Sequence, residues 1–183
     1  MPSRLRRYQD TKRDSHFITF SCYQRQAFLA SPSDRDLCQK AIEQFRVQYE
    51  FTVIAYVVMP EHVHLLVSEP KNGPLASAIQ AIKQSVSRKL IGNRDHFWQE
   101  RYYDFNVWSL AKQKEKVKYI HRNPVRRGLV DRPEEWPWSS FRNYLTGELG
   151  AVEIESTWTE YGREKLVRFL TPPYGSSAPA DEP

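Results

Sequence analysis

No apolar run in the 183 residues approaches the ~20 needed to cross a bilayer, so no membrane partner is expected. Cysteine is scarce. Cys22 and Cys38 stand apart, which excludes a disulfide framework and a Cys-paired metal centre and points to a reducing, cytoplasmic setting. Residues 1–13 are basic but lead into no apolar stretch, so a secretory signal is not expected. Internal repeats and long flexible linkers are also missing. A structural zinc site would want four Cys or His ligands, and beyond the pair His62 and His64 only His16, His96 and His121 remain.

What is present is a core. Hydrophobic residues make up 40% and aromatics 13%, enough for one domain with a tail and too much for a mainly disordered chain. The net charge is +5, unevenly spread: residues 83–127 carry twelve basic and four acidic groups, whereas residues 128–183 carry five and ten. A basic block inside a globular pattern suits a polyanion partner. A solvated lysine-rich face would give the same count.

Periodicity divides the chain into alternating elements. Residues 15–27 are dense in aromatic and β-branched side chains, as in a strand. Ser31-Pro32-Ser33 opens a helix whose apolar face is Cys38, Ala41, Ile42, Phe45 and Tyr49. Phe51 to Met59 is almost continuously apolar, as in a central strand. After Met59-Pro60-Glu61 comes the strand His62 to Ser68, in which a period of two sets His62, His64 and Leu66 on one face and Val63, Leu65 and Val67 on the other. Leu75, Ile79, Ile82, Val86 and Leu90 mark a second helix, whose other face offers Lys83, Ser87 and Arg88. Phe97 to Trp108 reads as a further strand, and Leu110 to Asn123 as a lysine-rich helix ended by Pro124. The order strand, helix, strand, strand, helix, strand predicts a ferredoxin-like α+β fold: a split βαβ arrangement with an antiparallel sheet and helices on one face. The seventh element, the lysine-rich helix, would reach the central strand pair. Residues 136–140 read as the start of a short helix, Trp158 to Leu170 as another, and residues 172–183 as a disordered end.

Two groups of residues carry chemistry. Two imidazoles two apart on a strand point the same way, so His62 and His64 can reach one metal ion; the same spacing also occurs in plain cores. Leu66 stands where a His-x-His-x-Asp hydrolase would place its aspartate. An open site with few protein ligands leaves room for substrate oxygens. Tyr119 and Asn123, four apart, share a helix face, flanked by Lys116 and Arg122. Tyrosine is a covalent nucleophile that needs activation, and neighbouring cations favour its ionised form. The competing reading is a core tyrosine with Asn123 as a polar helix end.

These residues resemble a known family. The stretch 56–67, with Glu61-His62-Val63-His64 at its centre, resembles the His-hydrophobic-His box of the HUH single-tyrosine transposases. The stretch 119–130, beginning Tyr119-Ile120-His121-Arg122-Asn123-Pro124, is similar to the tyrosine helix of their REP-associated branch. His16-Phe17-Ile18-Thr19-Phe20, Phe97-Trp98-Gln99-Glu100-Arg101 and Trp136-Pro137-Trp138-Ser139-Ser140 match in the same order, so the resemblance spans residues 13–144. It implies a transposase domain over 1–145 and an acidic extension, partly helical and then disordered, over 146–183.

By that resemblance Tyr119 is the nucleophile, and His62, His64 and Asn123 hold Mg²⁺ or Mn²⁺. Glu61 departs from the asparagine expected before the first histidine. The implied reaction is cleavage and rejoining of single-stranded DNA at hairpins of repeated extragenic palindromes, through a 5′-phosphotyrosine link. The enzyme would work in the cytoplasm at the nucleoid, as a monomer in preference to a dimer. Arg4, Arg6, Arg7, Lys83, Arg88, Lys89, Arg101, Lys116, Arg122, Arg126 and Arg127 are the expected phosphate contacts. Trp98, Tyr102 and Tyr103 are candidates for base stacking or for the core. Two alternatives from other classes are a hairpin-binding protein whose cleavage is vestigial and an RNA-binding ferredoxin-like domain.

Overall fold

The computed structural model describes residues 15–156 and Thr159. The expected basic arm with Arg4, Arg6 and Arg7, the end segment 172–183, and the helix over 158–170 save for Thr159 lie outside the described residues.

Four strands, β1 (Ser15–Ser21), β2 (Val53–Val58), β3 (His62–Ser68) and β4 (Tyr103–Val107), form one antiparallel sheet in the order β2-β3-β1-β4. This is the ferredoxin-like order that the pattern predicts. Helices α1 (Pro32–Tyr49) and α2 (Leu75–Leu90) cover one face, and α3 (Leu110–Arg126) lies across the other. A short α4 (Phe141–Thr146) follows.

Strand β2 is apolar throughout because it is covered on both faces. Val53, Tyr56 and Val58 join the core beneath α1 and α2, whereas Ile54, Ala55 and Val57 join a second cluster with Ile120 of α3. Strand β3 divides its side chains in the same way. Val63, Leu65 and Val67 face α1 and α2, and His62, His64 and Leu66 face α3.

Local signals set several helix ends. Ser31 caps α1 by accepting from the Asp34 amide at 3.1 Å, with Pro32 in the first turn. Ser109 caps α3 in the same manner, accepting from the Lys112 amide at 3.2 Å. Pro124 does not end α3 as expected; the helix continues to Arg126. In the last turn the missing N–H removes only the bond to the Ile120 carbonyl. The following carbonyls are satisfied by the amides of Arg127, Gly128 and Leu129, with Gly128 turning the chain at φ +67.

The fourth strand is also shorter than Phe97 to Trp108. Trp98 meets the end of β1 only through a single bridge to Cys22 and buries its ring in the core, edge-on to Phe20 at 5.1 Å, and regular pairing begins only at Tyr103. Residues 136–140 explain their own composition. The Val58 amide donates to the Trp138 carbonyl, Trp136 Nε1 donates to the Val58 carbonyl, and the Ser140 amide donates to the Tyr56 carbonyl, so this segment closes the outer edge of β2. Beyond it, Ile154 bridges Val53, and Val152 and Ile154 are buried in the core. The folded body thus extends into the segment read as an extension.

Candidate active site

The register of the central strands builds the site. Thr19 lies opposite His64 and Ser21 opposite His62, so both imidazoles rise on the α3 side between β1 and the helix. Their Nε2 atoms are 3.0 Å apart. One helical turn separates Tyr119 from Asn123 on α3. Asn123 is 6% exposed, with Nδ2 at 3.1 Å from His64 Nε2. Tyr119 is 37% exposed, its ring centroid 5.3 Å from that of His64. Phe17 holds the two rings in place, stacked on His64 at 5.4 Å and edge-on to Tyr119 at 5.8 Å. His62, His64, Tyr119 and Asn123, from two distant parts of the chain, therefore stand together in one cluster.

Around this centre lie residues to which the sequence patterns gave no orienting role. Glu61, buried beside the pair, accepts from His62 Nδ1 at 3.2 Å and from an Arg127 guanidinium N–H at 2.6 Å. A carboxylate only accepts, so the His62 proton is on Nδ1 and its Nε2 lone pair faces the site. Thr19 Oγ1 is 2.7 Å from His64 Nδ1 and orients the second ring. Burial holds His64 well below the ordinary imidazole value, with the His62, Arg25 and Lys116 charges acting in the same direction. Burial also lowers His62, opposed in part by Glu61. Both rings are thus neutral near pH 7, as metal ligands must be. Arg25, in a short left-handed turn after β1, had no pattern to mark it.

The donor set fits a divalent metal ion. Among the described residues no group of three His, Cys, Asp or Glu forms, so a third donor has to come from another side chain. Asn123 Oδ1 is buried with no hydrogen-bond partner. Rotating the amide exchanges it with Nδ2 and sets an oxygen beside His64 Nε2. When Thr19 accepts from His64 Nδ1, two imidazole lone pairs face each other at 3.0 Å beside an amide oxygen. Such a cluster of acceptors is reconciled by a cation. Two imidazole nitrogens and one amide oxygen, with no thiolate, suit a divalent cation with positions left open.

Cations surround the tyrosine. Lys116 Nζ is 6.0 Å and the Arg126 guanidinium 5.7 Å from its ring centroid. A cavity of about 470 Å³ beside it is lined by Glu115, Lys116, Lys118, Tyr119, Arg122 and Arg126. Other expected phosphate contacts lie elsewhere. Lys83, Arg88 and Lys89 are on α2, across the sheet from Tyr119. The Lys83 ammonium donates to the Gln99 and Glu100 carbonyls at 2.9 and 3.1 Å and holds that loop. Arg101 is exposed in the loop before β4. Trp98 is a core residue whose Nε1 donates to the Lys83 carbonyl, and Tyr102 is half-buried.

The model of the IS200-like transposase family matches residues 11–123. A protein of Escherichia coli K12 named REP-associated tyrosine transposase is 25% identical over 160 residues, 87% of this chain and 94% of its own. A Haemophilus influenzae protein of similar name is 28% identical over 124 residues, 61% of this chain and 70% of its own. Among solved structures, a REP-associated tyrosine transposase bound to a REP hairpin superposes with a TM-score of 0.64 at 24% identity, covering 79% of this chain and 87% of that one.

Proposed function

The chain belongs to the IS200-like transposase family, and on that premise we propose that it cleaves and rejoins single-stranded DNA through attack of Tyr119 on a backbone phosphodiester. The observation that carries this reading is the half-exposed Tyr119 ring standing 5.3 Å from His64, over the buried cluster of His62, His64 and Asn123. A binding protein has no use for an exposed phenol beside paired, neutral imidazoles and an orphaned amide oxygen. The hairpin class, repeated extragenic palindromes, is taken from the names of the relatives and from the REP hairpin held by the structure of similar fold.

His62, His64 and Asn123 would hold Mg²⁺ or Mn²⁺, which when bound supplies Lewis acidity toward phosphate oxygens. Glu61 and Thr19 fix the imidazole rings, with the His62 proton held away from the site. Phe17 sets the angle of the nucleophile. Tyr119 Oη forms a bond to phosphorus while the bond from phosphorus to the 3′ oxygen breaks. The phenol proton ends on the released 3′ oxygen, so a 5′-phosphotyrosine and a free 3′-hydroxyl result. Lys116 and Arg126 neutralise charge at the phenol and phosphate. Attack by another 3′-hydroxyl restores a phosphodiester and frees Tyr119, so the exchange needs no nucleotide cofactor. Arg122, Arg126 and Arg101 would contact the DNA backbone, and one chain holds every group named.

The test is an adduct assay on the full chain with a labelled single-stranded hairpin drawn from repeats near its gene. Label should travel with the protein on a denaturing gel when Mn²⁺ or Mg²⁺ is present. It should vanish in Tyr119→Phe and in His62→Ala while hairpin binding persists. Tight hairpin binding with no adduct at any metal concentration would overturn the reading in favour of a binding protein.

A further inference from the structure

Strand β4 is an edge of the sheet, and it and the residue just after it carry large rings into water on the side where Tyr119 stands. Tyr103 is 54% exposed and Trp108 66% exposed. Phe17 pairs with Phe105 and Thr19 with Tyr103, so the rings of β4 at alternate positions share the face that carries Phe17 and His64. The Tyr103 and Phe105 rings are parallel within 5° at 6.5 Å, and Trp108 leans on Phe105 at 5.4 Å. Phe17 joins this row to the tyrosine, 6.4 Å from Tyr103 and 5.8 Å from Tyr119. The Lys116 ammonium lies among them, 4.4 Å from the Phe17 centroid, 5.1 Å from Phe105 and 6.0 Å from Tyr119. The acidic residue of the strand is turned aside, since Asp104 accepts from His16.

We propose that Tyr103, Phe105 and Trp108, with Lys116 at their edge, form a stacking shelf for unpaired bases of the strand that Tyr119 attacks. The inference rests on the reading of Tyr119 as nucleophile. Three features select nucleotides over an apolar protein surface. The row is continuous with the candidate active site. A lysine over ring faces offers both a cation–π contact and a phosphate partner. Alternating aromatics beside a cation is the arrangement that grips single-stranded nucleic acid irrespective of sequence. Stacking here would hold the strand flanking the scissile phosphate while the hairpin stem is gripped elsewhere.

The two contributions separate in a binding experiment on the full chain. Two DNA hairpins with one stem are compared, one blunt and one with a five-nucleotide unpaired extension, across a salt series. The double variant Tyr103→Ala/Trp108→Ala should bind the extended hairpin more weakly, by about tenfold for each ring lost. Its affinity for the blunt hairpin should not change. The slope of log affinity against log salt should also stay as in the wild type, because no phosphate contact is removed. Tyr103→Phe/Trp108→Phe, which keeps both rings, should recover most of the affinity. Equal losses on both hairpins, a shallower salt slope, or no loss at all would overturn the shelf. So would self-association of the wild type that the double variant abolishes, since the rings would then be an interface between copies. Absence of a Tyr119 adduct in the wild type, with the extension effect intact, would overturn the nucleophile and leave the shelf as a binding surface.

Discussion

The side-chain amide of Asn123 meets Nε2 of His64 at 3.1 Å across 59 residues of sequence. This contact ties α3 to β3 one turn below Tyr119, and rotation of the amide would set its otherwise unpartnered oxygen beside the imidazole pair. Asn123→Ala removes that oxygen, and Asn123→Asp keeps an oxygen and adds a charge. Mn²⁺ affinity, read by calorimetric titration, should fall about tenfold or more in the alanine variant and be held or raised in the aspartate variant. Unchanged affinity in Asn123→Ala would take the amide out of the ligand set.

Glu61 is buried against His62 and bonded to Arg127. It orients the first imidazole without facing the substrate, so it is a positioning residue. Glu61→Gln can still accept from His62 Nδ1 but loses the charge that steadies the ring and Arg127. Metal affinity should fall about 10- to 100-fold. Adduct formation should be restored by raising Mn²⁺. A loss of adduct that no metal concentration repairs would show instead that Glu61 takes part in the reaction.

Metal binding to the folded protein alone should raise the melting temperature. At a free concentration 100 times the dissociation constant, the gain is about 2.7 kcal/mol. Mn²⁺ should therefore stabilise the wild type, chelator should reverse the effect, and His64→Ala should abolish the response. A His64→Ala variant that is still stabilised by Mn²⁺ would place the ion elsewhere.

The element order and the two-residue period of β3 were legible because they are local: apolar alternation on a strand assigns each side chain to a face whatever it pairs with. The one-turn spacing of Tyr119 and Asn123 is local in the same sense. Thr19 and Glu61 were not legible as orienting groups. Their roles depend on the pairing of Thr19 with His64 and on the burial of the turn before β3, both set by long-range packing. Lys83 shows the same limit for charge. A count of basic residues does not distinguish a lysine facing solvent from one whose ammonium is bonded to two carbonyls. Pro124 carries the usual signal for a helix end, yet three later amides cap the turn beyond it.

The outer edge of the sheet offers a prediction about pH. Glu43 on α1 accepts two hydrogen bonds from Arg46 and one from the Glu153 amide, so it ties the strand-like segment 152–156 to the helix. Burial by itself would raise the Glu43 carboxyl, but the bonds from Arg46 and Glu153 and the Arg46 charge together hold it below the ordinary carboxylate value. A depressed carboxyl adds stability above its unfolded value, near pH 4.5 for glutamate, and that stability is lost as pH falls through the lower folded value. The melting temperature of the wild type should therefore drop on the acid side of pH 4.5. Glu43→Gln, which cannot ionise, should melt lower at pH 7 and show a shallower drop. Hydrogen exchange should rise first at the amides of residues 152–156, whose Val152 and Ile154 side chains would lose their hold on the core. Parallel melting curves for the two proteins from pH 7 down to pH 3 would show that Glu43 does not secure this edge.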